Sequence, residues 1–499
     1  MSGSSNEFDK FRVQRIQGGR LMLDLIIHGG TVVTPSGVGQ FDIGIQGEKI
    51  VLVGARDSIT DESQRYIDAT GKYVFPGGIE PHTHIASRVS EAWAGRRGVM
   101  TQSPEAASRA AAHGGVTTYI DFAGGMEGTE DGDQSNNSIM TRLDARRNVF
   151  AGHSYTDFAF HFTLAGEVPT STVEEIREAI ESGVASFKIF TTFGSKVPYG
   201  HLWAIFEAVG ANGGIMAVHA EDDDMVKYME AKLIREGLDQ GYNLHLAHNN
   251  ISEDISFRKI IRLSEHTETG IYFVHTTAKE GAYAIADARK KQLPVYGETL
   301  HNYLHFTHEH YREPGGTAIH TYPAIKHASD RDELQEALIN GTLSTTATDE
   351  YTTYKDVKLS GNTIETVCGG HNGIETRLPV IYTKFVSTGR ISIEHFSDIT
   401  STNAAKILGM YPQKGAIAAG SDADIVLFDP DMKKTITLDG LHADSDYSIW
   451  EGFECQGYPV TTILRGKIIV ENGELKGSPT DGHWLARKVA PSVLASPAC

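Results

Sequence analysis

Pro76-Gly77-Gly78-Ile79-Glu80-Pro81-His82-Thr83-His84-Ile85 is the stretch from which the rest of the chain is best read. It follows the apolar run Tyr73-Val74-Phe75, bounded by Gly71 and by Pro76-Gly77, where a buried strand gives way to a turn. His82 and His84 are two residues apart. In an extended chain that period sends both imidazoles to one side. Two neutral imidazoles on one face begin a transition-metal site, although histidines among a total of 22 also reach this spacing by chance.

Downstream the texture alternates. Ser103-Pro104-Glu105 opens a helix, with Ser103 as cap and proline in the first turn, and Gly114-Gly115 ends it. Strands are predicted at 116–122, 157–162, 185–190, 215–219, 271–275 and 295–298, and helices at 171–181, 202–209, 223–237, 252–267, 279–288 and 331–340, before Ser344 to Asp349. This alternation predicts an α/β fold, a (β/α)8 TIM-like barrel, with an open doubly wound sheet as the alternative. Short strands with glycine turns at 24–53, and again at 424–430 and 460–470, predict a small β-sandwich domain formed from both chain ends. The expected organisation is a flexible arm at 1–20, a sandwich from 21–75 with 411–475, a barrel over 76–410, and a tail at 476–499 that wraps the surface or a neighbour.

Bulk properties narrow the function. A formal net charge of -19 argues against nucleic-acid or anionic-membrane partners. Cys368, Cys455 and Cys499 make no disulfide framework and fit a reducing compartment. No apolar run is long enough to span a bilayer, and no leader pattern precedes the fold, so a cytoplasmic location is expected.

The candidate metal ligands share a position rather than a spacing. His82, His84, His219 and His275 each close or follow an apolar strand, and Lys188 and Asp349 sit the same way. Groups from successive strand ends converge at the C-terminal mouth of a barrel. Lys188 lies in Ala185-Ser186-Phe187-Lys188-Ile189-Phe190, where an unpaired charge would be costly. Either an acidic partner or snorkelling resolves that cost, or the amine takes up carbon dioxide and becomes a carboxylate able to bridge two cations.

The set Gly77 to His84, Ser186-Phe187-Lys188, Val218-His219-Ala220-Glu221, His275 and Thr348-Asp349 resembles the dihydropyrimidinases and hydantoinases, the cyclic-amide branch of the metal-dependent amidohydrolases. Val295-Tyr296-Gly297-Glu298-Thr299, Gly373 to Pro379 and Lys414-Gly415 extend the resemblance over roughly residues 22 to 480. It implies a binuclear zinc centre and a homotetramer, with dimers in some members. His82 and His84 would bind one metal with Asp349, His219 and His275 the other, and N6-carboxylysine at Lys188 would bridge them. A hydroxide between the metals would attack the ring carbonyl, with Asp349 as general base and then acid.

The pocket departs from the family pattern. The tyrosine five residues after the bridging lysine is Phe193 here, with Tyr199 the candidate replacement. The residues after the aspartate read Glu350-Tyr351-Thr352, the segment after Glu298-Thr299 reads Leu300-His301-Asn302, and Gly369 replaces an asparagine ahead of Asn372. Phe193, Tyr199, His301, Asn302, Gly369 and Asn372 are therefore the expected substrate-binding residues for a small cyclic amide. Allantoinase, dihydroorotase, an imide or lactam hydrolase, and a non-catalytic scaffold relative are the alternatives. A substrate carboxylate would call for an arginine, with Arg88 and the pair Arg96-Arg97 as candidates.

Overall fold

The structure is a computed structural model, and it describes residues 22–124 and 138–499. The expected arm at 1–20 lies outside the described residues. The chain opens with β1 (Met22–His28), β2 (Thr31–Thr34), β3 (Gly37–Gln46), β4 (Lys49–Ala55), β5 (Glu62–Asp68) and β6 (Tyr73–Pro76). The barrel strands are β7 (Gly78–Glu80), β8 (Val116–Ala123), β9 (Asp157–Thr163), β10 (Ser186–Phe190), β11 (Ile215–His219), β12 (Gly270–Phe273), β13 (Val295–Leu300) and β14 (Thr345–Ala347). Then follow β15 (Ile425–Thr435), β16 (Glu454–Leu464), β17 (Lys467–Glu471) and β18 (Glu474–Leu475).

Strands β7 to β14 pair in sequence order, all parallel, in one eight-stranded sheet. Their residues are almost entirely buried, which is why they read as apolar runs rather than alternations. The intervening helices cover the outside. One of them, Pro104–His113, begins as expected, with the Ser103 hydroxyl accepting from Ala106 N at 3.2 Å.

The seam between β7 and β14 closes just beyond the strands, where His84 N donates to Glu350 O at 2.7 Å and Glu350 N to His82 O at 3.2 Å. Arg377, fully buried, staples the same seam from below. It donates to Thr346 O at 2.6 Å and Ile79 O at 2.7 Å and pairs with Glu80 at 3.1 Å. The fold is thus a nearly closed (β/α)8-like barrel.

The remaining ten strands form one mixed sheet from both chain ends, along the path β18-β17-β16-β15-β6-β2-β3-β1-β5, with β4 on β3. Leu25, Ile43 and Ile50 from one end share a core with Ile425, Leu427 and Ile463 from the other, so the sheet curls upon itself. Lys414 ties it to the barrel, reaching Asp157 at 2.6 Å and Asp424 at 2.7 Å with its ammonium buried.

The C-terminal residues pack against the barrel floor. Val489 and Val493 join the cluster of Ile79, Ile120 and Ile215, and Arg487 donates to Ser186 Oγ at 2.9 Å and Leu408 O at 3.1 Å. Two isolated valines make these contacts without a periodic apolar pattern in the sequence. Among the described residues, no helix is long and apolar enough to cross a membrane.

Candidate metal centre

All six candidate ligands line one cavity of about 570 Å³: His82, His84, Lys188, His219, His275 and Asp349. His82 and His84 follow β7, with Nε2 atoms 3.1 and 3.2 Å from the same oxygen, Asp349 Oδ1. Lys188 comes from the middle of β10 and His219 from the end of β11. His275 lies beyond β12, with its Nε2 3.0 Å from His219 Nδ1. His275 at φ 40 and Asp349 at φ 52 are both left-handed, as is Phe193 at φ 66. Such backbone costs of order 1–3 kcal/mol per residue and is kept where the surroundings over-determine it.

Buried carboxylates aim two of these rings, those of His82 and His219. Glu298 Oε1 lies 2.8 Å from His82 Nδ1 and also accepts His275 N at 2.9 Å. Glu221 Oε2 lies 2.9 Å from His219 Nε2, and Glu221 also holds His248 Nδ1 at 2.9 Å. An imidazole whose outer nitrogen is fixed by a carboxylate offers the inner nitrogen as a ligand. Thr321 donates to Asp349 Oδ2 at 2.6 Å, fixing the carboxylate's other oxygen.

Charge follows the same design. Burial raises the Asp349 carboxyl, but His82 and His84 more than reverse this and hold it well below the carboxylate range. Burial drives the His275 imidazole well below its usual range, so it stays neutral. Lys188 is 1% exposed, with its ammonium 4.8 and 5.1 Å from the ring centres of Phe190 and Phe122, and no ion pair to any described residue. Burial pushes its amine down to about 7. This donor set fits a divalent metal: nitrogen and carboxylate donors converge beside the Lys188 amine, and the outer nitrogens of His82 and His219 are braced by Glu298 and Glu221.

The pocket expectations fare unevenly in position. Phe193 and Gly369 line the cavity; Tyr199, His301, Asn302 and Asn372 do not. Tyr199 starts the helix Tyr199–Ala211, is 52% exposed, and faces a separate small cleft with Lys259. His301 is buried against Trp450, whose Nε1 donates to it at 2.8 Å. Asn302 donates to Ile319 O at 3.3 Å, and Asn372 to Ser445 Oγ at 3.3 Å. Tyr322 was missed. Its ring stacks on Trp93 at 5.3 Å and meets Phe193 edge-on at 5.4 Å. A Cβ on Gly369 would lie 2.5 Å from the Tyr322 ring, so glycine there makes room for the aromatic pair. Lys358 was missed too; its buried ammonium donates to His320 O at 2.8 Å and Cys368 O at 2.6 Å, joining two cavity walls.

A nearly closed parallel barrel with histidines and an aspartate at its strand ends, and a buried lysine within one strand, defines a metallohydrolase-type site. Comparison with known proteins agrees. The amidohydrolase family model matches residues 73–469. D-hydantoinase of Ralstonia pickettii is 34% identical over 477 residues, covering 93% of this chain and 99% of that protein, and the Rhizobium radiobacter D-hydantoinase is 33% identical over 479 residues, covering 93% and 99%. The crystal structure of dihydropyrimidinase from Brevibacillus agri NCHU1002 superposes with a TM-score of 0.86 at 30% identity, covering 93% of this chain and 99% of that one. The chain belongs to the amidohydrolase family, in its dihydropyrimidinase and hydantoinase branch.

Proposed function

We propose that the protein hydrolyses a ring C–N bond of a small cyclic amide, such as a dihydropyrimidine, a hydantoin or a related imide. Two divalent ions, zinc by preference, would be held by His82, His84 and Asp349, by His219 and His275, and by carboxylated Lys188 between them. Such ions supply a water of lowered pKa and polarise a carbonyl oxygen. The convergence of both Nε2 atoms on Asp349 Oδ1, beside the His219–His275 pair, is the observation that carries this reading.

The chain's own residues supply the rest. Asp349, kept ionised and braced by Thr321, accepts the proton of the attacking water and returns it to the leaving ring nitrogen. Glu298 and Glu221 keep the imidazoles fixed during that exchange. Trp93, Phe193 and Tyr322 form an apolar wall that packs the ring and limits water, and the Gly369 peptide is the polar edge for the ring amide. Phe193 lacks a hydroxyl, so it contributes shape and no hydrogen bond. Three free cysteines support a cytoplasmic site of action, and the family resemblance supports a homotetramer, with a dimer as the alternative.

The test is zinc-reconstituted enzyme with bicarbonate, assayed for ring opening of dihydrouracil, hydantoin, 5-substituted hydantoins, allantoin, succinimide and glutarimide. Opening of one ring class is expected. Metal-replete protein that opens none of them would contradict the reading.

A further inference from the structure

Three arginines follow the metal-ligand segment, and the structure separates their roles. Arg96 pairs with Asp356 at 2.8 Å, and Arg97 with Glu91 at 2.8 Å. Arg88 lines the cavity with His84, Trp93 and Asp349, and its guanidinium makes no ion pair or hydrogen bond to any described residue. The other charged groups on the lining are committed: Glu91 to Arg97, and Asp349 to His82, His84 and Thr321. Lys188 belongs to the metal set.

The Arg88 backbone is held in place. Ser87 N donates to Thr101 Oγ1 at 2.8 Å, Val89 N to Val99 O at 2.8 Å, and Tyr351 OH to Arg88 O at 3.2 Å. Thr101 Oγ1 in turn donates to His84 O at 2.7 Å, so the arginine's position is tied to that of a proposed ligand. A guanidinium offers a planar fork that matches a carboxylate in two parallel bonds. In a chain of net charge -19, an anion entering the site meets repulsion unless a local cation offsets it.

We propose that Arg88 is a specificity residue for cyclic amides carrying a carboxylate on the ring or on a short ring substituent. This inference rests on the hydrolytic function proposed above. The neutral part of the substrate packs on Trp93 and Tyr322, and the carboxylate reaches the guanidinium at the cavity rim.

The experiment compares kcat/KM for hydantoin-5-acetate and its neutral isostere hydantoin-5-acetamide, in metal-replete enzyme and in Arg88→Met, Arg88→Lys and Arg88→Glu, with metal content measured in each. The wild type should prefer the acid by about tenfold or more, and that preference should shrink at high salt. Arg88→Met should bring the ratio near one, Arg88→Lys should keep part of it, and Arg88→Glu should invert it. A wild-type ratio near one, or a ratio unchanged in Arg88→Met while the amide is still hydrolysed, would overturn the role of Arg88 and leave ring hydrolysis standing. Metal-replete enzyme that opens neither hydantoin would overturn this inference, and the hydrolytic reading falls with it only if the wider ring panel is not opened either.

Discussion

Glu221 Oε2 lies 2.9 Å from His219 Nε2, and with that nitrogen fixed, His219 Nδ1 faces His275 Nε2 at 3.0 Å. Burial raises the Glu221 carboxyl, while His248 and His219 more than reverse the effect, so a buried anion braces a neutral ring. Glu221→Gln keeps the shape and removes the charge. Metal affinity at the His219–His275 pair should fall by about 10–100-fold while the His82–His84 side keeps its ion. Competitive titration with a zinc chelator checks this.

Lys188 has no described ion-pair partner, and burial has brought its amine down to about 7. The neutral amine is the form that adds carbon dioxide, so that form dominates above about pH 7. Metal-free enzyme given zinc in carbon-dioxide-free buffer should stay inactive until bicarbonate is added. The rate of that activation should rise as pH passes through about 7. Lys188→Met should lose activity by about a hundredfold or more with or without bicarbonate. Kinetics of reactivation followed by ring-opening assay test both statements.

A Cβ at position 369 would lie 2.5 Å from Tyr322 Cδ2 and 2.9 Å from Cε2 of the same ring. Gly369→Ala should displace Tyr322 from its stack on Trp93, raise KM and lower kcat/KM by about tenfold. Metal content should not change, since no ligand is touched. Steady-state kinetics with parallel metal analysis separates the two effects.

Much of this site can be read in the chain. The apolar runs of β9, β10 and β11 are visible because both faces of those strands are buried, and a histidine or lysine inside such a run stands out. The His82–His84 spacing predicts a shared direction, and both rings do reach one oxygen. What could not be read are partnerships between distant segments. Tyr199 is near Phe193 in sequence but faces another cleft, whereas Tyr322 arrives from a loop far along the chain. Arg377 staples the barrel seam through backbone carbonyls of Ile79 and Thr346, which no side-chain pattern records. His301 sits in a dense histidine stretch, yet its partner is Trp450, more than a hundred residues on.

Glu253, fully buried, accepts Ala278 N at 2.9 Å and Thr277 N at 3.0 Å through one oxygen and leaves the other unpaired. Burial pushes its carboxyl up to about 8, only partly offset by Lys326. Between the unfolded value near 4.5 and about 8, the folded state holds more protons than the unfolded one. This group's contribution is therefore most favourable at low pH and is lost as pH rises through about 8. Glu253→Gln has no charge to bury. Its Tm relative to wild type should rise from pH 5 to pH 8 and level off above. A difference that stays flat over that range would contradict the assignment.

Metal stoichiometry tests the central claim most directly. Zinc-reconstituted wild type, desalted and analysed by plasma mass spectrometry, should retain two ions per chain, falling to about one in His219→Ala and in Lys188→Met. Wild-type protein that folds yet retains no ion, or that keeps its full complement after His82→Ala with His219→Ala, would contradict a binuclear hydrolase built on these six residues.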